Sequence, residues 1–148
     1  MTPSTWLGKS STEYGPICLT ARCKASCSGR HNCGRKLGFR SWPSIRVRTQ
    51  ADPPHYRVPD VCVTLGEPAE EIFTTPPFIC IEILTPEDRA IELSVKIEEY
   101  LNFGVQYVWV IDSRSHTGQI YTRSGIERIR DGKFRAGAIL VDLNELEP

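Results

Sequence analysis

Residues 78–84 read FICIEIL, apolar on both faces of an extended chain except at Glu82. A strand apolar on both faces belongs inside a sheet that is covered on both sides. A carboxylate in such a strand costs several kcal/mol unless it is paired or bound to a cation. The residues that follow announce a helix: Thr85 as N-cap, Pro86 at the first helical position, and Glu87 and Asp88 in the electropositive first turn. Ala90, Leu93, Ile97 and Leu101 then form a stripe at helical spacing, and Gly104 supplies the stop. A second apolar run, residues 105–111, reads as another buried strand, and Asp112 ends it as a turn residue. Any fold for this chain has to be built around that strand–helix–strand unit.

The neighbouring segments add strands. Residues 44–50 alternate Ile45, Val47 and Thr49 with Arg46, Arg48 and Gln50, the period of a half-exposed strand. Asp52-Pro53-Pro54 predicts a turn, because paired prolines cannot continue a ladder. Residues 57–65 read as one further strand, with Val61, Val63 and Leu65 on one face and Asp60, Cys62 and Thr64 on the other. Residues 66–77 are a polar loop with prolines. Residues 119–123 and 126–130 flank Ser124-Gly125, a hairpin signal, and Asp131-Gly132 marks the next turn. Residues 134–143 read as one final strand. The predicted fold class is α/β, a mixed β-sheet with a flanking helix.

The zero formal net charge hides a division. Residues 1–50 hold nine basic side chains against the single acid Glu13, whereas the remainder holds nine against 17. Cys18, Cys23, Cys27 and Cys33 crowd the same N-terminal third, with His31 among them. Their spacing matches no paired C-x2-C zinc pattern, which leaves a small appended metal-binding module as the weaker reading of Cys18–Cys33, and nothing else in the chain supports a disulfide framework. Cys62 and Cys80, inside apolar strands, read as small hydrophobes. The expected organisation is an irregular, basic, Cys-containing segment over residues 1–43 and one folded domain over residues 44–148. At 24% charged and 40% hydrophobic the chain is neither collagen, coiled coil nor wholly disordered. It has no apolar run near the ~20 residues of a membrane span and no apolar stretch in residues 1–30 like that of a secretory signal. The expectation is therefore a soluble, intracellular, cytoplasmic protein without a membrane partner.

Glu82 is the residue that asks for chemistry. Asp60 follows Pro59 in the preceding strand; if the two strands pair, both carboxylates project from one sheet face within reach of one hard divalent cation. Lys96, on the following helix, brings a positive charge toward the same place. Taken singly, each has a plainer reading: Asp60 as a turn cap, Glu82 as the partner of an arginine, Lys96 as a solvated helix residue. Together they point to a metal-centred site.

RVPDV (residues 57–61), IEILTPEDR (residues 81–89) and KIEEYLNFGVQYVWVID (residues 96–112) together resemble the Uma-two family of restriction endonucleases, within the PD-(D/E)XK nuclease superfamily. The resemblance runs from about Arg46 to the C-terminus. It implies a restriction-endonuclease-like core and a Mg2+-dependent endonuclease, with Mn2+ as a substitute, hydrolysing DNA phosphodiester bonds. Asp60 and Glu82 would ligate the metal, with the backbone carbonyl of Ile83 completing the set, and Lys96 would serve catalysis from the helix, since Leu84 stands where the superfamily usually has its lysine. Tyr100, one turn beyond Lys96, would line the same cleft or, as its plainer role, pack the core. The alternative is a catalytically inactive nucleic-acid-binding or structural remnant of the fold. Residues 1–42 offer no helix of the kind that family members place first, so the domain is expected to be shortened on its N-terminal side. DNA is the expected partner, and cutting both strands symmetrically would call for a homodimer.

Overall fold

The computed structural model of the protein describes residues 39–66 and 70–145. In chain order these contain β1 (Phe39–Pro43), β2 (Arg46–Ala51), β3 (Pro54–Arg57), β4 (Val61–Leu65), β5 (Ile72–Phe73) and β6 (Ile79–Ile83). The helix α1 (Ala90–Phe103) follows, then β7 (Tyr107–Asp112), β8 (Thr117–Thr122), β9 (Gly125–Ile129), β10 (Lys133–Ala136) and β11 (Ile139–Asp142).

The main sheet runs in the order β1-β4-β6-β7-β8-β9, with the apolar strands β6 and β7 at its centre. Every residue of β6 is buried, as an apolar run on both faces requires. Its parallel pairing with β7 needs a crossover, and α1 is that crossover. All other neighbours in this sheet are antiparallel, so the sheet is mixed. One face carries Cys62, Cys80, Val108 and Val110 and is covered by Ile97 and Tyr100 of α1 together with Val47 and Phe73. The opposite face carries Ile79, Ile81, Trp109 and Ile111 and is covered by the β10–β11 hairpin through Phe134, Ala136, Ile139 and Val141. A second, three-stranded sheet, β3-β2-β5, lies beside α1.

Several boundaries differ from the sequence expectation. β1 pairs along its whole length with β4, so ordered structure reaches into the segment expected to be irregular up to residue 43. FRSWP has no apolar alternation to reveal it; the strand is held by its ladder and by Trp42, whose indole N–H donates to Thr64 Oγ1 at 3.0 Å. The single strand expected over residues 57–65 is interrupted between Arg57 and Val61, where Pro59 cannot donate to a ladder. Residues 134–143 form two strands, because Gly137 adopts φ 57° and reverses the chain.

The helix begins at Ala90, not at Thr85. Asp88 accepts from the backbone N–H of Thr85 at 2.6 Å and from its hydroxyl at 2.8 Å, and the Asp88 N–H donates to the Thr85 carbonyl. Those bonds close residues 85–88 into a separate turn, with the acid capping the threonine. Gly104 ends the helix as expected: at φ 115° its N–H donates to the carbonyls of Tyr100 and Leu101. The cysteines and His31 of the N-terminal third, and the expectations attached to them, lie outside the described residues.

Candidate active site

Residues of β4 and β6 pair so that Val61 faces Ile81 and Cys62 faces Cys80. Continued by one residue, the same register sets Asp60 opposite Glu82, on the face covered by α1. Directly opposed residues on antiparallel strands have Cβ atoms about 4.5–5.5 Å apart. Asp60 sits where Pro59 has stopped the preceding strand. Its carbonyl accepts from Ser44 N–H at 3.0 Å, and its Oδ2 accepts from Ile83 N–H at 2.7 Å. Ile83 is thus tied to Asp60 through its backbone, while strand alternation turns its side chain to the other face.

Glu82 is 4% exposed. Its Oε1 accepts from the Tyr100 hydroxyl at 2.8 Å, and its Oε2 accepts from Lys96 Nζ at 3.2 Å. Lys96 and Tyr100 are four apart on α1 and so share one helix face. Because the helix starts at Ala90, Lys96 lies in its second turn and is not carried away from the strand end. Burial raises the pKa of Glu82; Lys96 opposes this, the neighbouring Asp60 adds to it, and the Tyr100 hydrogen bond opposes it. The Tyr100 phenol is pushed well above its usual value by burial and by the Glu82 charge, so it stays a hydrogen-bond donor.

A second ion pair anchors this arrangement. Arg57 of β3 binds Glu99 of α1 with both arms, Nε to Oε2 at 2.6 Å and one terminal NH2 to Oε1 at 2.9 Å. His55 Nε2 lies 3.3 Å from the same Oε2. The Arg57 guanidinium holds Glu99 below the usual carboxylate range, against the opposing effect of burial. A planar fork on a carboxylate fixes orientation as well as distance. It ties the helical turn carrying Tyr100 to the segment just before Asp60.

Asp60, Glu82 and Lys96 are therefore gathered at one place. Tyr100, expected at the cleft or in the core, serves both: its ring is fully buried and its hydroxyl holds Glu82. The i, i+4 spacing from Lys96 was the available signal. Asp112 is a turn residue, its Oδ1 accepting from the N–H groups of Arg114 and Ser115. A cavity of about 30 Å³, lined by Glu82 and Lys96 but not by Asp60, opens toward Asp88, Arg89 and Glu92 and has room for a water. A larger hollow of about 380 Å³, between Ser94–Leu101 of the helix and Tyr121–Arg123, includes none of the three residues.

Asp60 and Glu82 are the two groups that could hold a hard divalent cation. An ionised carboxylate offers about four lone-pair sites. The internal donors described above use one on each oxygen of Glu82 and one on Asp60 Oδ2, which leaves acceptors on both groups. Among the described residues no cluster of three or more His, Cys, Asp or Glu is gathered. Two carboxylates suit Mg2+, which keeps several waters, rather than a closed zinc site. No helix among the described residues is long and apolar enough to cross a membrane.

Comparison with known proteins follows the same lines. The model of the Uma-two family, described as "putative restriction endonuclease", matches residues 25–143, a span that contains Asp60, Glu82 and Lys96. No curated protein matches. Among solved structures the chain is similar to a "putative nuclease belonging to DUF820" from Anabaena variabilis, with a TM-score of 0.62 and 23% identity over 74% of this chain and 68% of the other. At that identity the likeness speaks for the fold, the mixed sheet with a flanking helix.

Proposed function

The chain belongs to the Uma-two family, and from that premise we propose that it is a metal-dependent endonuclease hydrolysing DNA phosphodiester bonds at Asp60, Glu82 and Lys96. The observation that carries this reading is Glu82, a carboxylate buried beside a second one, Asp60, with a lysine at 3.2 Å. A structural role alone would be served better by an apolar residue at a buried strand centre.

On this reading Asp60 and Glu82 hold Mg2+ or Mn2+. The bound ion supplies Lewis-acid polarisation of the phosphate and a lowered pKa for its water. Lys96 donates one of its three ammonium protons to Glu82 and keeps two for a water or a phosphate oxygen. Its side chain is 30% exposed. There it orients the attacking water and offsets charge developing on the phosphorus oxygens. Tyr100 keeps the Glu82 carboxylate from rotating, and the Arg57–Glu99 pair keeps the helix in place.

Incubation of the full chain with duplex DNA in Mg2+, in Mn2+ and in EDTA tests the reading. Cleavage in metal alone is expected, with Asp60→Asn, Glu82→Gln and Lys96→Ala each reducing it by about 100-fold or more. A wild type that binds metal and duplex yet never cuts supports the inactive remnant instead. Cleavage that survives all three substitutions places the chemistry elsewhere.

A further inference from the structure

The β2–β3 hairpin has two unlike faces. Val47 and Arg57 are cross-strand partners on the face turned to α1, where Val47 is fully buried and Arg57 is spent on Glu99. Alternation sends Arg46, Arg48 and Tyr56 to the opposite face, with Arg48 directly across from Tyr56. Neither Arg46 nor Arg48 has a carboxylate partner among the described residues. Arg46 instead lies over the Tyr56 ring, with its guanidinium carbon 4.7 Å from the ring centroid.

That contact has a chemical consequence. A guanidinium held against an aromatic face keeps N–H donors directed away from the ring for a forked contact. The partner that a fixed, desolvated-on-one-side guanidinium fits is a phosphodiester oxygen pair. Arg48 adds a second charge two residues further along the strand, and Tyr56, 37% exposed, offers a flat apolar edge beside both. The hairpin also leads along the chain into the candidate site, its outer face turned away from α1. Tyr56 precedes Asp60 by four residues, a span of at most ~14 Å even when fully extended. A duplex carries one charge per about 1.7 Å of axis, so a substrate seated at Asp60 and Glu82 presents several further phosphates within that distance.

We propose that the outer face of the β2–β3 hairpin, Arg46, Arg48 and Tyr56, is a docking surface for the phosphate backbone of duplex DNA. The inference rests on the nuclease reading of the neighbouring site and assigns its substrate-holding surface. Arg46 and Arg48 neutralise two phosphates without reading sequence, and Tyr56 positions the first of them.

Equilibrium binding of a labelled DNA duplex to the full chain in EDTA, followed by fluorescence anisotropy across a salt series, tests this without any dependence on cleavage. Two lost phosphate contacts should make the slope of log K against log[salt] shallower by about 1.8 in Arg46→Gln/Arg48→Gln. Affinity at low salt should fall more than tenfold, equally for unrelated sequences. Arg46→Lys/Arg48→Lys should keep the slope while losing several-fold in affinity, because the charge remains and the stacked fork does not. Arg128→Gln/Arg130→Gln, at the far edge of the main sheet, should bind as wild type does. An unchanged slope in Arg46→Gln/Arg48→Gln, with a native circular dichroism spectrum, overturns the docking face and leaves the nuclease reading standing. Equal loss in the Arg128/Arg130 variant overturns it as well, since binding would then follow net charge alone. A duplex of RNA bound more tightly than DNA, with the same slope loss, overturns the assignment to DNA. A wild type that binds no duplex in EDTA overturns the docking face, while the nuclease reading is judged by cleavage in metal.

Discussion

Replacing Tyr100 with phenylalanine deletes one oxygen and keeps the buried ring, so packing in the helix–sheet layer is preserved. What is lost is the 2.8 Å hydrogen bond to Glu82 Oε1. A hydrogen bond to a charged acceptor contributes about 1.5–3 kcal/mol, and a neutral one about 0.5–1.5. The cost of Tyr100→Phe therefore depends on whether Glu82 is ionised. Burial has raised the Glu82 pKa, and the hydroxyl works against that rise. Because the folded value exceeds the unfolded one, Glu82 itself weakens the fold as pH climbs through that window. Removing the hydroxyl widens the window. Above the folded pKa of Glu82 the substitution should cost about 2 kcal/mol, or roughly 10 °C in Tm for a domain of this size. Below it the cost should shrink to about 1 kcal/mol. Urea unfolding of wild type and variant in EDTA across a pH series measures both limbs. A cost that does not change with pH, or no cost at all, would refute the argument that this hydroxyl serves the Glu82 charge.

Other substitutions separate the two ion pairs and test the sheet. Glu99→Gln should cost about 1 kcal/mol at neutral pH, discounted because both partners are about a quarter exposed. Since Glu99 is held below its ordinary value of 4.5, that stability is present above 4.5 and is lost as pH falls through the lowered folded value. Denaturant midpoints of wild type and variant should therefore converge in acid. Lys96→Ala should cost about 1 kcal/mol at neutral pH, because Glu82 then stays buried with less compensation, and the cost should fade once Glu82 is protonated. Chemical unfolding at two pH values checks this. Gly118→Ala should cost at least about 3 kcal/mol in the same assay, since a Cβ there would lie 2.0 Å from the Val110 carbonyl oxygen and 2.8 Å from the Phe134 ring.

The central strands, the crossover helix and the meeting of Asp60 with Glu82 were legible because each leaves a periodic or compositional mark. A doubly apolar strand with one acid is unusual enough to locate both the sheet centre and the buried carboxylate. The helix start was misplaced because T-P-E-D satisfies every local rule for an N-terminus. Only the tertiary arrangement shows Asp88 capping Thr85 in a turn of its own. β1 left no mark, because an edge strand held by backbone pairing and one indole needs no alternation. The i, i+4 spacing from Lys96 places Tyr100 toward the same cleft, but a buried ring says nothing of where its hydroxyl ends, so its bond to Glu82 is seen only in the structure. The Arg57–Glu99 pair spans 42 residues, a separation that no local pattern reports.

A Mg2+ titration followed by thermal unfolding addresses the claim that Asp60 and Glu82 form a cation site. A ligand that binds only the folded state stabilises it by about 2.7 kcal/mol at 100 times its Kd. The wild-type Tm should climb with log[Mg2+], and Asp60→Asn and Glu82→Gln should each flatten that climb whether or not the protein cuts DNA. Equal climbs in all three proteins would put the ion somewhere else and contradict the site.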